Sequence, residues 1–261
     1  MASRNPVLIR ATGEALETAH SSQTPGHIPG FTAPNSSALL TINDVVMKTA
    51  ALFGVLLVGT YFGWTLVMSN PAVIVISVVA ALILALVNTF SKNIKPVLVL
   101  AYGVAEGVAL GAISRFYNDV FAVQAPNIVS QAVMGTLVVF AVMLALYAGK
   151  IIKVNGTFMK VFMIAMISYL VISVISLFAS FAGVGGGWGF YGVGQLGLLL
   201  CVAGVALAAF SLVMDFEMIQ QAVNQGLPER ESWRMAFGLT VSLVWLYTEL
   251  LRLIAIFSSD R

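Results

Sequence analysis

Between Val46 and Phe257 the chain is nearly continuous apolar sequence, broken only by short polar stretches. The breaks leave seven runs, at about 46–68, 72–91, 96–117, 128–149, 159–182, 194–222 and 232–257, each matching the ~20 helical residues needed to cross a bilayer. Inside hydrocarbon every backbone N–H and C=O needs a partner within its own segment, so such runs are helices. The sequence therefore predicts an all-α membrane protein, with seven transmembrane helices in a domain spanning 41–261. Composition agrees, because only 9% of the residues are charged, against about a quarter in soluble domains. The small net charge gives no reason to expect nucleic acid as a partner; the expected partner is the lipid bilayer.

Residues 1–40 are polar and rich in Ser, Thr, Pro and Gly, with Pro25, Pro29 and Pro34 breaking any helix. They lack the basic start, apolar run and cleavage site of a signal peptide. The expectation is a disordered cytosolic tail. Thr41 and Asp44 have the spacing of a capping box that starts the first span, and Pro71 makes spans one and two a tight hairpin. The uncharged loop after Gly183, GVGGGWGFYGVG, reads as lying partly in the membrane interface, held by Trp188 and Tyr191.

Basic residues are distributed unevenly. The tail side holds Arg4, Arg10, Lys48, Lys92, Lys95, Lys150, Lys153, Lys160, Arg230 and Arg234, ten against three on the other side. The positive-inside rule then places the N-terminus in the cytoplasm and, with an odd number of spans, the C-terminus outside. The triplets Asn35-Ser36-Ser37 and Asn155-Gly156-Thr157 resemble glycosylation sites but fall on the cytosolic side.

The chemistry worth weighing lies in charges placed inside the spans, which are costly unless they face the bundle interior or a wet cavity. Glu106 sits near the middle of span three, among Gly103, Gly107 and Gly111, a stripe that lets another helix approach closely. Asp215 and Glu217 lie in span six, two apart and so on nearly opposite faces. Asp215 is the deeper, and is the one expected to face the core. Glu249 and Arg252 lie in span seven, three apart on one face. Two readings stand for each acid. Glu106 is a hydrogen-bonded neutral acid or a proton-sensitive latch; Asp215 is a hydrated interfacial carboxylate or such a latch. Glu249 with Arg252 is a structural ion pair or supports the latch. The latch reading is general physics: gaining or losing a charge in a poorly solvated bundle changes what a helix packs against.

Enzyme chemistry is not expected. Both histidines, His20 and His27, lie in the tail, Asp215 is the only aspartate deep within a span, and Cys201 is the only cysteine. There is thus no Ser–His pair, aspartyl dyad or zinc set, and no cofactor is expected.

Span three (YGVAEGVALGAIS from Tyr102), span four (QAVMGTLVVFAVMLALY from Gln131) and the end of the chain (LVWLYTELLRLIAIF from Leu243) resemble the Bax inhibitor-1 family. The likeness covers about 44–258 and is nearest to the family's bacterial, YccA-like branch. It implies a Bax inhibitor-1-like bundle with a central sixth helix, in a bacterial inner membrane. It also implies a pH-sensitive passive leak for Ca2+ or other cations, gated by an aspartate late in helix six that pairs with one in helix seven. Asp215 matches the first aspartate; Ser242 or a neighbour falls at the second, and no acid lies between Glu231 and Glu249. The alternative implied role is a non-transporting adaptor that regulates another membrane protein, such as a membrane protease.

Overall fold

The computed structural model describes residues 38–152 and 154–259. Within them lie α1 (Ile42–Ser69), α2 (Ala72–Phe90), α3 (Pro96–Val120), α4 (Ile128–Ala148), α5 (Gly156–Phe181), α6 (Gly194–Asn224) and α7 (Ser232–Ser259). All seven are long and apolar enough to cross a membrane. Their ends follow local chemistry. Thr41 and Asp44 form the reciprocal capping box at α1, with the Thr41 N–H donating to Asp44 at 2.9 Å and the Asp44 N–H to Thr41 Oγ1 at 3.2 Å. Pro96 opens α3 at a position whose N–H no helix would use. Asn155 of the apparent sequon caps α5, its side chain accepting from the Phe158 N–H at 2.8 Å.

Glycine sets the tightest contact. Gly103, Gly107 and Gly111 of α3 lie against α1, which answers with Gly59 and Gly63. A Cβ at Gly107 would overlap the Leu56 carbonyl, and one at Gly111 the Thr60 carbonyl. α7 packs on α1, α3, α4 and α6, while α6 packs on α1, α4, α5 and α7. These two rods make the middle of the bundle, and α6 buries residues from Gly197 to Ala222.

α5 stands apart. It touches α6 lightly and is held mainly by the segment that follows it. That segment forms two 3-10 turns, Val184–Gly187 and Gly189–Gly192, made feasible by positive φ at Gly185 (61°) and Gly189 (65°). Most of the segment is exposed, and it is anchored to the bundle through Trp188, Phe190 and Tyr191. Tyr191 is buried with its hydroxyl bonded to Tyr169 and Ser173, and the Phe190 N–H donates to Ser176 Oγ at 2.9 Å. Trp188 meets the rings of Phe116 and Tyr117 on α3 and of Phe121, which caps that helix. The physical reason is that the tyrosine hydroxyl and the backbone amide find partners inside the bundle.

Residues 1–37 of the expected tail lie outside the described residues. Residues 38–40 join the fold rather than the tail. The Leu40 N–H donates to the Leu227 carbonyl at 2.8 Å, and the Glu229 N–H donates to the Ala38 carbonyl at 2.7 Å, burying Leu40. The same end is tied by Lys48, whose Nζ reaches Glu229 Oε1 at 2.9 Å and Ser232 Oγ at 2.6 Å.

Candidate functional site

Asp215 is carried on the buried face of α6, set there by Ala208, Leu212, Phe216 and Ile219, which pack in the central core. It is 6% exposed, and its Oδ2 has no hydrogen-bond partner. Across the seam, α7 offers space and one hydroxyl. A Cβ on Gly238 would lie 3.6 Å from Asp215 Oδ1, and Ser242 is the polar side chain facing the carboxyl. No cation forms an ion pair with Asp215 among the described residues. Glu217 turns the other way, accepting from the Tyr147 hydroxyl at 3.0 Å and from Gln221 at 2.9 Å.

A buried carboxyl in this setting has two states with different needs. The neutral acid is close to apolar and fits a dry helix seam. The anion demands water, a cation or several donors, because an unpaired buried charge costs several kcal/mol or more. Ser242 supplies a single hydroxyl. The seam thus packs around one charge state and would have to rearrange for the other.

Glu106 lies half-buried near the middle of α3. Among the described residues, no hydrogen bond joins it to Asp215 or to any other side chain. The two acids are carried by different helices, Glu106 by α3 and Asp215 by α6. Tyr102, one turn before Glu106, packs edge-on against Phe237 of α7 with ring centroids 5.0 Å apart.

The third group of charges is the most highly connected. Glu249 is 3% exposed on α7. Its Oε1 accepts from the Tyr169 hydroxyl at 2.8 Å, from Trp245 Nε1 at 3.1 Å and from Arg252 Nη1 at 3.1 Å, and the same nitrogen reaches Oε2 at 3.1 Å. The Tyr191 hydroxyl donates to Tyr169 at 3.0 Å, and the Arg252 guanidinium lies 4.3 Å from the Tyr191 ring centre. Gly204 of α6 gives this cluster its room, since a Cβ there would sit 2.7 Å from Glu249 Oε2. The ion pair within one helix was legible from the i, i+3 spacing. Tyr169, Tyr191, Trp245 and Gly204 were not identified from sequence. A signal did exist: Tyr169, Ser173, Ser176 and Ser180 recur at helical spacing in an otherwise apolar span.

This cluster borders a cavity of about 880 Å³ between α5 and α7. A family model described as Bax inhibitor 1 like matches residues 5–259. No curated protein matches the chain.

Proposed function

The chain belongs to the Bax inhibitor 1 like family, and from that premise we propose that it passes cations such as Ca2+ passively down their gradient across a bacterial inner membrane. The control element is the charge on Asp215, and Glu106 is a second acid along the conducting bundle. The observation that carries the reading is the Asp215 Oδ2 buried without a partner beside Gly238 and Ser242. Neutral, the acid lets α6 and α7 close; ionised, it draws water or a hard cation, for which carboxylate and hydroxyl oxygens are suitable ligands. Conduction therefore rises with pH as Asp215 loses its proton.

Reconstituted vesicles loaded with a calcium dye test this. Wild type should leak faster as the pH is raised, and Asp215→Asn should hold flux low and flat. Flux in Asp215→Asn that matches wild type across the pH range rejects the reading. The adaptor reading has one observation on its side, that Ser242 rather than a second acid faces Asp215. A protein without pH-dependent flux, whose partner capture in a pull-down is lost on deleting residues 1–37, would favour it. The basic-residue asymmetry supports a cytoplasmic N-terminus and an external C-terminus. A reporter active only in the cytoplasm should then be silent when fused after Arg261.

A further inference from the structure

α5 carries Tyr169, Ser173, Ser176 and Ser180 at steps of four, three and four, so this mostly apolar helix presents one polar face. Tyr169 and Ser176 on this face are buried against Glu249 and the 3-10 turns. The face lines the 880 Å³ cavity, whose opposite wall is α7 with Glu249 and Arg252. A volume of that order is typical of small-molecule sites, which run to roughly 300–1,000 Å³.

The two charges are not equally available to a visitor. The Glu249 side chain is 4% exposed and its carboxylate already accepts from three residues. The Arg252 side chain is 28% exposed, engages Glu249 through Nη1 only, and also borders a second hollow of about 340 Å³ beneath the 183–193 segment. Tyr117 and the Tyr191 ring also lie against Arg252, but its five N–H groups exceed these partners, whereas the Glu249 carboxylate is fully engaged. That favours an acidic group over a metal ion or an ammonium group. The rest of the wall is apolar. Ile167 and Leu170 of α5 line the cavity and are also 57% and 63% exposed, so it opens sideways towards lipid.

We propose that the α5–α7 cavity binds a single-chain membrane amphiphile with an acidic headgroup, the head on Arg252 and the chain along α5. This site is separate from Asp215 and does not depend on ion conduction. Two of the four tryptophans, Trp188 and Trp245, line the cavity, which gives a direct readout.

The full chain carrying Trp64→Phe and Trp233→Phe, in neutral nanodiscs, is titrated with chain-brominated lysophosphatidic acid while tryptophan emission is followed. Saturable quenching is expected, with a midpoint about tenfold lower than for brominated lysophosphatidylcholine, the difference made by one charge-assisted hydrogen bond. Inorganic phosphate should not displace the lipid. The double change Glu249→Gln with Arg252→Gln, which keeps the pair uncharged overall, should bring the two midpoints together. Leu170→Phe, at an exposed position that leaves the cluster intact, should reduce quenching by both lipids and serves if the double variant does not fold. Equal midpoints for the two headgroups overturn the proposal. So do displacement by phosphate, a headgroup preference surviving in the folded double variant, or quenching unaffected by Leu170→Phe.

Discussion

Asp215 and Glu249 are both buried acids on the two central helices, yet one oxygen of the first has no partner and the second accepts four hydrogen bonds. Opposite responses to removing the charge follow. Asp215→Leu takes away a group whose burial is uncompensated, so thermal unfolding in detergent should show a neutral or raised Tm. Glu249→Leu strands the Arg252 guanidinium and two further donors, Tyr169 and Trp245, and should cost roughly 3 kcal/mol, the low end for a broken buried pair because Arg252 reaches the cavity. Tyr169→Phe removes only the hydroxyl between Glu249 and Tyr191, and hydrogen bonds between membrane helices average about 0.6 kcal/mol and reach at most about 1.7 kcal/mol. A Tm falling equally in the two Leu variants would contradict this account. Sequence spacing identified the i, i+3 pair because both residues share one helix. The hydroxyls that complete it come from residues 58 to 80 positions earlier in the chain, and single-helix periodicity carries no information about such partners.

Glycines make the same distinction at the level of whole helices. Gly107 and Gly54 both sit inside long apolar helices, but a Cβ at Gly107 would overlap the Leu56 carbonyl whereas one at Gly54 meets nothing within 4 Å. Gly107→Ala must therefore push α3 off α1 and lower stability. Gly54→Ala should be neutral or gain up to about 1 kcal/mol from helix propensity. The pair is checked by unfolding the two variants in parallel; equal losses would mean that α1 and α3 do not meet through this stripe. The α3 stripe was readable because its period of four is itself a statement about one helix face. Span limits were readable for a related reason, since a bilayer imposes a minimum length that polar breaks then delimit. The start of the folded domain was displaced by a few residues, because Ala38 to Leu40 look like tail until the Leu227 and Glu229 backbone groups pair with them.

Across the whole molecule, packing is uneven. α1, α3, α6 and α7 interlock, while α5 is attached chiefly through the glycine-rich turns of 183–193 and the tyrosine cluster beneath them. This arrangement keeps the α5–α7 cavity open to the side and makes the turns its hinge. Trp188 is the outermost fastening, with ring centroids 5.8 to 6.2 Å from three aromatic rings of α3 and the residue that ends it. Aromatic pairs contribute about 0.5–1.5 kcal/mol each beyond their buried area, and Trp188 is 39% exposed, so Trp188→Ala should free the turns by about 1.4 kcal/mol. Opening is read by proteolysis when reclosing is fast, and 1.4 kcal/mol is a tenfold change in the open fraction. Nicking within 183–193 by a low-specificity protease should thus accelerate about tenfold. The 225–231 loop, closed by Lys48 with Glu229 and by Arg234 on the Ser91 carbonyl, should be cut at the wild-type rate. Acceleration at both loops would mean that α5 unfolds together with the bundle, and then a side-opening cavity could not exist without loss of the fold.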